Sequence, residues 1–447
     1  MKRTLRLVGM AALVLLLAVS CKKEEKKTVE NEEGLVMKTF GTGIAQNGDA
    51  KTGLVPGTDG NRFNQKWFNS DKITVSSVAG ESATTQTFDF ESFTSQDEST
   101  ATFTGLVKPD AQTYYAFYPA ANDNGPVKSS YNEGTKTVTF TLPGTQTYVE
   151  NSYATDFAPM VATATSDDER LMFDNLCGLF EFRVFTDQDF ECTLTEVQLD
   201  ALAPAEGTAP SICGSYQYTF GEEGGLKPAS SKGATNQIIL NCGNLPVSHS
   251  SVNPTSFIFV IPPTRFEHGF SLTYRGTIGG LNTIFVDNRF ANKDLTVGAG
   301  GALFNNDPYE ISPEFKVGIM DAITTGVPAN TIRCYISSNV KDNVTDWVEV
   351  AEQGVLIYQG ETVPDPATAV QGTTKYVLTG EHAQDCPLSS TNGIIDAYNE
   401  TFHAPALMGA ENKFNVKAYA KYRYKGSSES TWKWVVSGAS KQVKFTM

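Results

Sequence analysis

The chain has 447 residues, with 35 basic and 50 acidic side chains, seven Cys, four His and a formal net charge of −15. With 40 % hydrophobic residues and 38 Gly it has the apolar share of an ordinary globular chain, which excludes wholesale disorder, and at roughly 100–200 residues per domain it holds two to four domains. Its acidity argues against nucleic acid or an anionic membrane surface as partner, since both would repel it, and four scattered His leave little material for His-rich metal sites.

Lys2, Arg3 and Arg6 precede an apolar run over residues 7–19. A bilayer-spanning helix needs about 20 residues, so this run is too short to cross and suits the core of a secretory signal. It ends Leu17-Ala18-Val19-Ser20-Cys21, which resembles a bacterial lipobox. Residues 1–20 are therefore expected to be a lipoprotein signal peptide, and Cys21 the lipidated first residue of the mature chain, held at the outer membrane by its acyl chains. With the three early charges removed, 32 basic groups face 50 acidic ones, a net charge of −18. Residues 21–33 are rich in Lys and Glu and poor in apolar groups, which predicts an unordered tether.

Beyond the tether, no segment keeps a helical i, i+3, i+4 pattern. Short runs rich in Val, Ile, Thr, Phe and Tyr recur instead, separated by Gly, Pro, Asn and Asp. Among them are Ile73-Thr74-Val75, Tyr114-Tyr115-Ala116-Phe117-Tyr118, Phe180-Glu181-Phe182-Arg183-Val184-Phe185 and Phe257-Ile258-Phe259-Val260-Ile261. In residues 136–142, Val138, Phe140 and Leu142 alternate with Thr137, Thr139 and Thr141, apolar on one face of a strand and hydroxyl on the other. Many short strands at this spacing predict an all-β chain of tandem β-sandwich domains. The charged turn Asp167-Asp168-Glu169 and the stretch from Asn305 to Pro313 place the expected breaks, giving domains of 34–165, 166–307 and 308–447. In the last of these, residues 414–422 alternate strictly and carry aromatics, and Trp432-Lys433-Trp434-Val435-Val436 supplies a partner strand. With residues 354–358 they read as an immunoglobulin- or fibronectin-III-like sandwich, Tyr419 and Tyr422 on its long strand.

Six Cys remain once Cys21 is set aside, an even number that permits disulfides in an exported chain. Cys177, Cys213 and Cys242 sit in apolar or strand-like contexts, where free Cys behaves as a small buried hydrophobe. Mostly buried thiols are expected, with Cys334 and Cys386 the pair to test first.

The motif order resembles that of the fimbrillin-like, or Mfa-like, surface lipoproteins of Gram-negative bacteria. The residues carrying the resemblance are Lys51-Thr52-Gly53-Leu54, then Lys66-Trp67-Phe68-Asn69-Ser70-Asp71-Lys72-Ile73-Thr74-Val75, then Tyr114 to Pro119. Leu142-Pro143 with Gln146, Ala158-Pro159-Met160, residues 171–177, Leu240-Asn241-Cys242 and Val260-Ile261-Pro262-Pro263 follow in the same order. The match covers roughly residues 34–300, and the C-terminal domain stands outside it. The resemblance implies two packed β-sandwiches and a place in pilus stalks, anchors, tips or related surface adhesion. It also implies a mechanism for polymerising members. A protease cuts after a basic residue past the first strand, and a strand from another pilus subunit fills the groove left behind, by β-strand addition. Here the first candidate strand is residues 34–40, no Arg follows it closely, and the available cut sites are Lys51 and Arg62 in a Gly/Asp/Asn-rich loop. Residues 441–447 have the pattern of a donor strand, or, more plainly, of the last strand of their own sandwich.

Catalytic signatures are missing. No Gly-x-Ser-x-Gly, His-Glu-x-x-His or Gly-Lys-Ser/Thr loop occurs, and the glycines at 41/43 and at 298, 300 and 301 lack a dinucleotide-binding context. His382 and Cys386 read as a surface loop, and residues 342–346 as a turn without the Gly and distal Glu of a Ca²⁺ loop. No cofactor and no metal are expected. Trp432 and Trp434 share one strand face, so they are either core or exposed aromatics that meet a sugar, while Trp67 belongs with the core. The first reading is thus a non-enzymatic pilus subunit or pilus-associated adhesin anchored through Cys21. The second is a surface protein that binds a glycan or host ligand through Trp432 and Trp434 and does not polymerise. An unrecognised hydrolase comes third.

Overall fold

A computed structural model of the chain describes residues 34–44, 54–56, 63–122, 124–188, 190–223, 225–278, 281–291, 294–305, 307–312, 315–320, 331–338, 348–377, 398–401, 414–425, 432–438 and 441–443. Among them are strands and turns and no helix, so the chain is all-β as its alternation predicts.

The N-terminal layers are joined at both edges into a closed barrel. Its strands run in the order Val36–Ile44, Arg170–Asn175, Met160–Thr165, Thr113–Tyr118, Lys72–Ala79, Ser82–Phe93 and Ala101–Val107, which returns to Val36–Ile44. Alternation decides which side faces in. On Ala101–Val107, Ala101, Phe103, Gly105 and Val107 are buried, while Thr102, Thr104 and Leu106 are only partly covered. The break expected at 165 falls inside this barrel. Asp167-Asp168-Glu169 is a hairpin turn, in which the Asp168 carboxylate accepts the Thr165 N–H at 2.7 Å and the Thr165 hydroxyl at 2.8 Å.

Trp67 fills the barrel from a segment that is not a strand. Its ring is fully buried and meets Phe103, Tyr118 and Phe173 edge-on at centroid distances of 5.0, 5.7 and 5.6 Å. A turn holds it there, with the Phe68 N–H donating to Asp71 Oδ2 at 2.7 Å and the Trp67 N–H donating to the Glu98 carbonyl at 2.9 Å. Close packing also fixes Gly105, where an added Cβ would lie 2.3 Å from the ring of buried Phe88. Gly105→Ala is therefore expected to lower stability by about 1–3 kcal/mol through displacement of that ring. Urea unfolding followed by tryptophan fluorescence checks it, and an unchanged midpoint would show that Phe88 moves aside freely.

Beyond the barrel, three sheets stack in layers. Gly178–Phe185, between Thr255–Ile261 and Ala302–Phe304, forms the middle layer. Phe180, Phe182 and Val184 point into a core shared with Val197, Leu199 and Leu240 of the six-stranded sheet. That sheet runs Ser152–Tyr153, Thr145–Val149, Gln237–Pro246, Cys192–Ala201, Gly269–Ile278, Leu281–Ala291. Leu179, Ile258 and Val260 point the other way, onto Val138, Phe140 and Tyr216 of the sheet Lys227–Thr235, Cys213–Thr219, Thr137–Leu142, Lys128–Asn132. Covered on both faces, the middle-layer strand Thr255–Ile261 reads as a continuous apolar run from Phe257 to Ile261. Gln146 completes this layer: its Nε2 donates to the Val260 carbonyl at 2.7 Å and its Oε1 accepts the Val260 N–H at 2.9 Å. A side chain thus stands where a neighbouring strand would otherwise pair.

The last sheets contain three strands (Phe315–Met320, Thr331–Ser338, Tyr398–Thr401) and five (Lys375–Val377, Val348–Tyr358, Phe414–Tyr424, Lys433–Val436, with Lys441–Val443 also on Phe414–Tyr424). Val355, Ile357, Val416 and Ala418 pack with Val317 in a core continuous with that of the preceding layers. Phe190 and Tyr424, 5.1 Å apart, and the Asp187–Lys433 ion pair join the two regions across the break expected at 307.

Candidate functional site

Two parts of the structure gather the residues the sequence singles out, the seam of the barrel and the outer face of the last sheet. At the seam, the strand Val36–Ile44 changes partner midway. Residues 36–41 pair antiparallel with Ala101–Val107, and residues 41–44 pair parallel with Arg170–Asn175. No other strand among the described residues joins those two neighbours. Phe40 is fully buried, 4.9 Å from Tyr114 and 5.9 Å from Phe88 between ring centroids. The buried Thr42 hydroxyl donates to the Ala101 carbonyl at 3.0 Å and accepts its N–H at 3.3 Å. Gly43 leaves room for Met172, whose sulfur would lie 2.7 Å from an added Cβ. Lys38 lies over the rings of Phe40 and Tyr114 at 4.7 and 4.4 Å, and its partial burial lowers its pKa against the opposing pull of Asp168, Glu169 and Asp167. The seam is made to hold one strand of defined shape, with an aromatic, a hydroxyl and a glycine at fixed places.

Lys51 and Arg62 lie outside the described residues, in the connection that leads from this strand towards Trp67; Cys21 lies outside them too. A hairpin of Leu54–Pro56 and Phe63–Gln65 brackets Arg62. His382, Cys386 and residues 342–346 are likewise outside, and the Cys334 side chain is not described. Lys441–Val443 pairs with residues 414–416, so this part of the C-terminal run belongs to its own sheet.

On the last sheet, Trp432 and Trp434 are half-buried on the outer face, and Lys433 points away to Asp187. Arg423 sits 4.6 Å over the Trp432 ring, Lys421 5.9 and 5.4 Å from the centroids of Trp432 and Trp434, and Lys375 5.5 Å over Trp434. Glu349 pairs with Arg423 at 2.7 Å, and Glu352 takes Lys375 at 3.1 Å and the Tyr419 hydroxyl at 3.0 Å. Burial, with that carboxylate beside it, raises the Tyr419 pKa. The two-residue spacing of the indoles signals a shared face. The cations come from strands far away in sequence, and no local pattern announces them.

Cys177, Cys192, Cys213 and Cys242 are buried free thiols. Burial pushes the Cys177 thiol well up, and those of Cys192 and Cys242 to about 12, which leaves no thiolate near neutrality. Iodoacetamide at mildly alkaline pH is expected to spare all four in the native protein and to modify all four after denaturation. Peptide mass mapping checks this, and modification of any of them in the native state would contradict the packing.

No protein-family model and no curated protein matches the chain. Among solved structures, it matches a candidate cell adhesion protein from Bacteroides ovatus at 11 % identity and a TM-score of 0.34, over 60 % of this chain and 92 % of that one. A fimbrial protein from Bacteroides ovatus matches at 12 % identity and a TM-score of 0.27, over 68 % of this chain and 58 % of that one. The tip fimbrial protein Mfa3 from Porphyromonas gingivalis, truncated at its C-terminus, matches at 9 % identity and a TM-score of 0.24, over 68 % of this chain and 99 % of that one.

Proposed function

We propose that the chain is a non-enzymatic surface protein of the fimbrillin-like type, a pilus subunit or pilus-associated adhesin, tethered to the outer membrane through a lipidated Cys21 for as long as the segment ahead of Lys51 and Arg62 is kept. One observation carries the proposal: a single N-terminal strand, joined to the rest by the connection holding Lys51 and Arg62, closes the barrel between two strands that nothing else among the described residues links. Its loss leaves two facing edges and an empty place where Phe40 packed, an arrangement satisfied by an incoming strand. A cut after Lys51 or after Arg62 removes the strand and keeps Trp67, so the rest of the core stays filled. The order of the fimbrillin-like motifs supports the same assignment, and the missing catalytic signatures support a non-enzymatic role.

The test is the intact mass and N-terminal sequence of the protein recovered from native cell surfaces. A start at Thr52 or Phe63 is the expected result for an assembling subunit. A lipidated start at Cys21 with the first strand in place would refute strand loss here and leave a standing anchor or binding protein. Cys21→Ala is expected to release the uncut chain, the form that still carries residue 21, from the membrane fraction, and unchanged fractionation of that form would refute the anchor.

A further inference from the structure

We infer that the outer face of the last sheet is a binding site for a carboxylated polysaccharide, with Lys421 taking the carboxylate and the Trp432 and Trp434 indoles flanking the sugar ring. This inference stands whether or not the protein polymerises. The strand Phe414–Tyr424 turns its even positions inward, among them Phe414, Val416, Ala418 and Ala420. Its odd positions Lys417, Lys421 and Arg423 therefore share the outer face with Tyr419, which is buried with Leu356, Tyr358 and the inner edge of Trp434, leaving Lys421 and Arg423 as adjacent cations on a chain of net charge −15. Across that strand, Glu349 stands opposite Arg423, and Lys421 lies between Glu352 on one side and Trp434 on the other.

The cations of this face differ in what they are free to do. The Arg423 and Lys375 side chains are 17 % and 13 % exposed and each is neutralised by a glutamate, so they act as fixed rungs that hold the indoles upright. Lys417 is occupied by the Ser437 and Gly438 carbonyls at 2.8 and 2.9 Å. Lys421 is half-buried and, among the described residues, forms no ion pair. It is a positive charge held between two half-exposed indoles.

That geometry selects the ligand class. Cations already lie over the indole rings, so sugar contact with them is confined to the ring edges and is the same for neutral and charged sugars, which leaves the charge on Lys421 to discriminate. A uronate residue places its carboxylate on the Lys421 ammonium, while its ring rests on the outer edges of the two indoles, which a two-residue step sets roughly 7 Å apart. Coulombic attraction at a half-exposed site is screened by salt, so the binding is salt-sensitive.

The test is calorimetric titration of the full chain with polygalacturonate, heparin and dextran. Polygalacturonate is expected to bind with an affinity that falls as NaCl rises, and dextran not to bind. Lys421→Gln is expected to weaken polygalacturonate at least tenfold with an unchanged melting temperature. Trp432→Ala is expected to weaken it as well. No binding of polygalacturonate would overturn the inference, as would equal binding of dextran. Tighter binding of heparin than of polygalacturonate would overturn the carboxylate assignment, and full affinity in Lys421→Gln would remove the site from this face.

Discussion

A chain that starts at Thr52, without Val36–Ile44, is expected to lose the monomeric stability of the barrel and to regain it when a peptide of residues 34–44 is added. The loss has two parts. Phe40, fully buried against Tyr114 and Phe88, leaves a cavity, and truncations of buried Phe commonly cost about 3–5 kcal/mol. The strands Ala101–Val107 and Arg170–Asn175 also lose their shared partner, exposing two rows of backbone groups. At roughly 2–4 °C per kcal/mol for a unit of this size, the melting temperature falls by about ten degrees or more. Size-exclusion chromatography and calorimetry with and without peptide measure it. Rescue by the native peptide but not by its Phe40→Ala form is the expected pattern. A truncated chain as stable and monomeric as the full one would mean that the strand is ornamental.

Trp67→Ala is expected to destabilise the same barrel by about 3–5 kcal/mol, because it removes the ring that Phe103, Tyr118 and Phe173 surround. The conservative Trp67→Phe is the more informative variant. The indole Nε1 has no hydrogen-bond partner among the described residues, so replacing it breaks no bond and leaves only a volume deficit. Its cost is expected to stay near 1–2 kcal/mol, at the level of a partial cavity. Denaturant midpoints of the two variants decide this, and equal costs would mean that the indole nitrogen has a role its surroundings do not reveal.

Local alternation made several strands legible from sequence. Residues 137–142 and 414–424 carry their inward and outward faces in their letters, and both are strands with that polarity. Legibility fails where a strand is covered on both faces, as at Thr255–Ile261, because a continuous apolar run does not say which neighbour takes which side chain. It fails again at the charged turn Asp167-Asp168-Glu169, which marks a hairpin as readily as a domain break. Pairing between distant strands leaves no local trace. Nothing in residues 36–44 announces two neighbours of opposite direction, and a glutamine between two threonines does not advertise that Gln146 will complete a sheet. The aromatic pair at 432 and 434 was visible, while the cations that hold it come from residues 375, 421 and 423.

The barrel's closing strand also has a mechanical meaning. Its backbone bonds to both neighbours lie across its length, so a pull on residue 34 along the strand axis loads all of them in shear rather than opening them one after another. Sheared bonds must yield together. A tether drawn tight from the N-terminal side therefore meets the part of the barrel that resists force best, whereas a strand peeled sideways from its free end gives way pair by pair. In a chain anchored through Cys21 as proposed, the intact strand is the clasp that takes up tension; once the chain is cut behind it, the same clasp no longer transmits that tension to the rest of the protein.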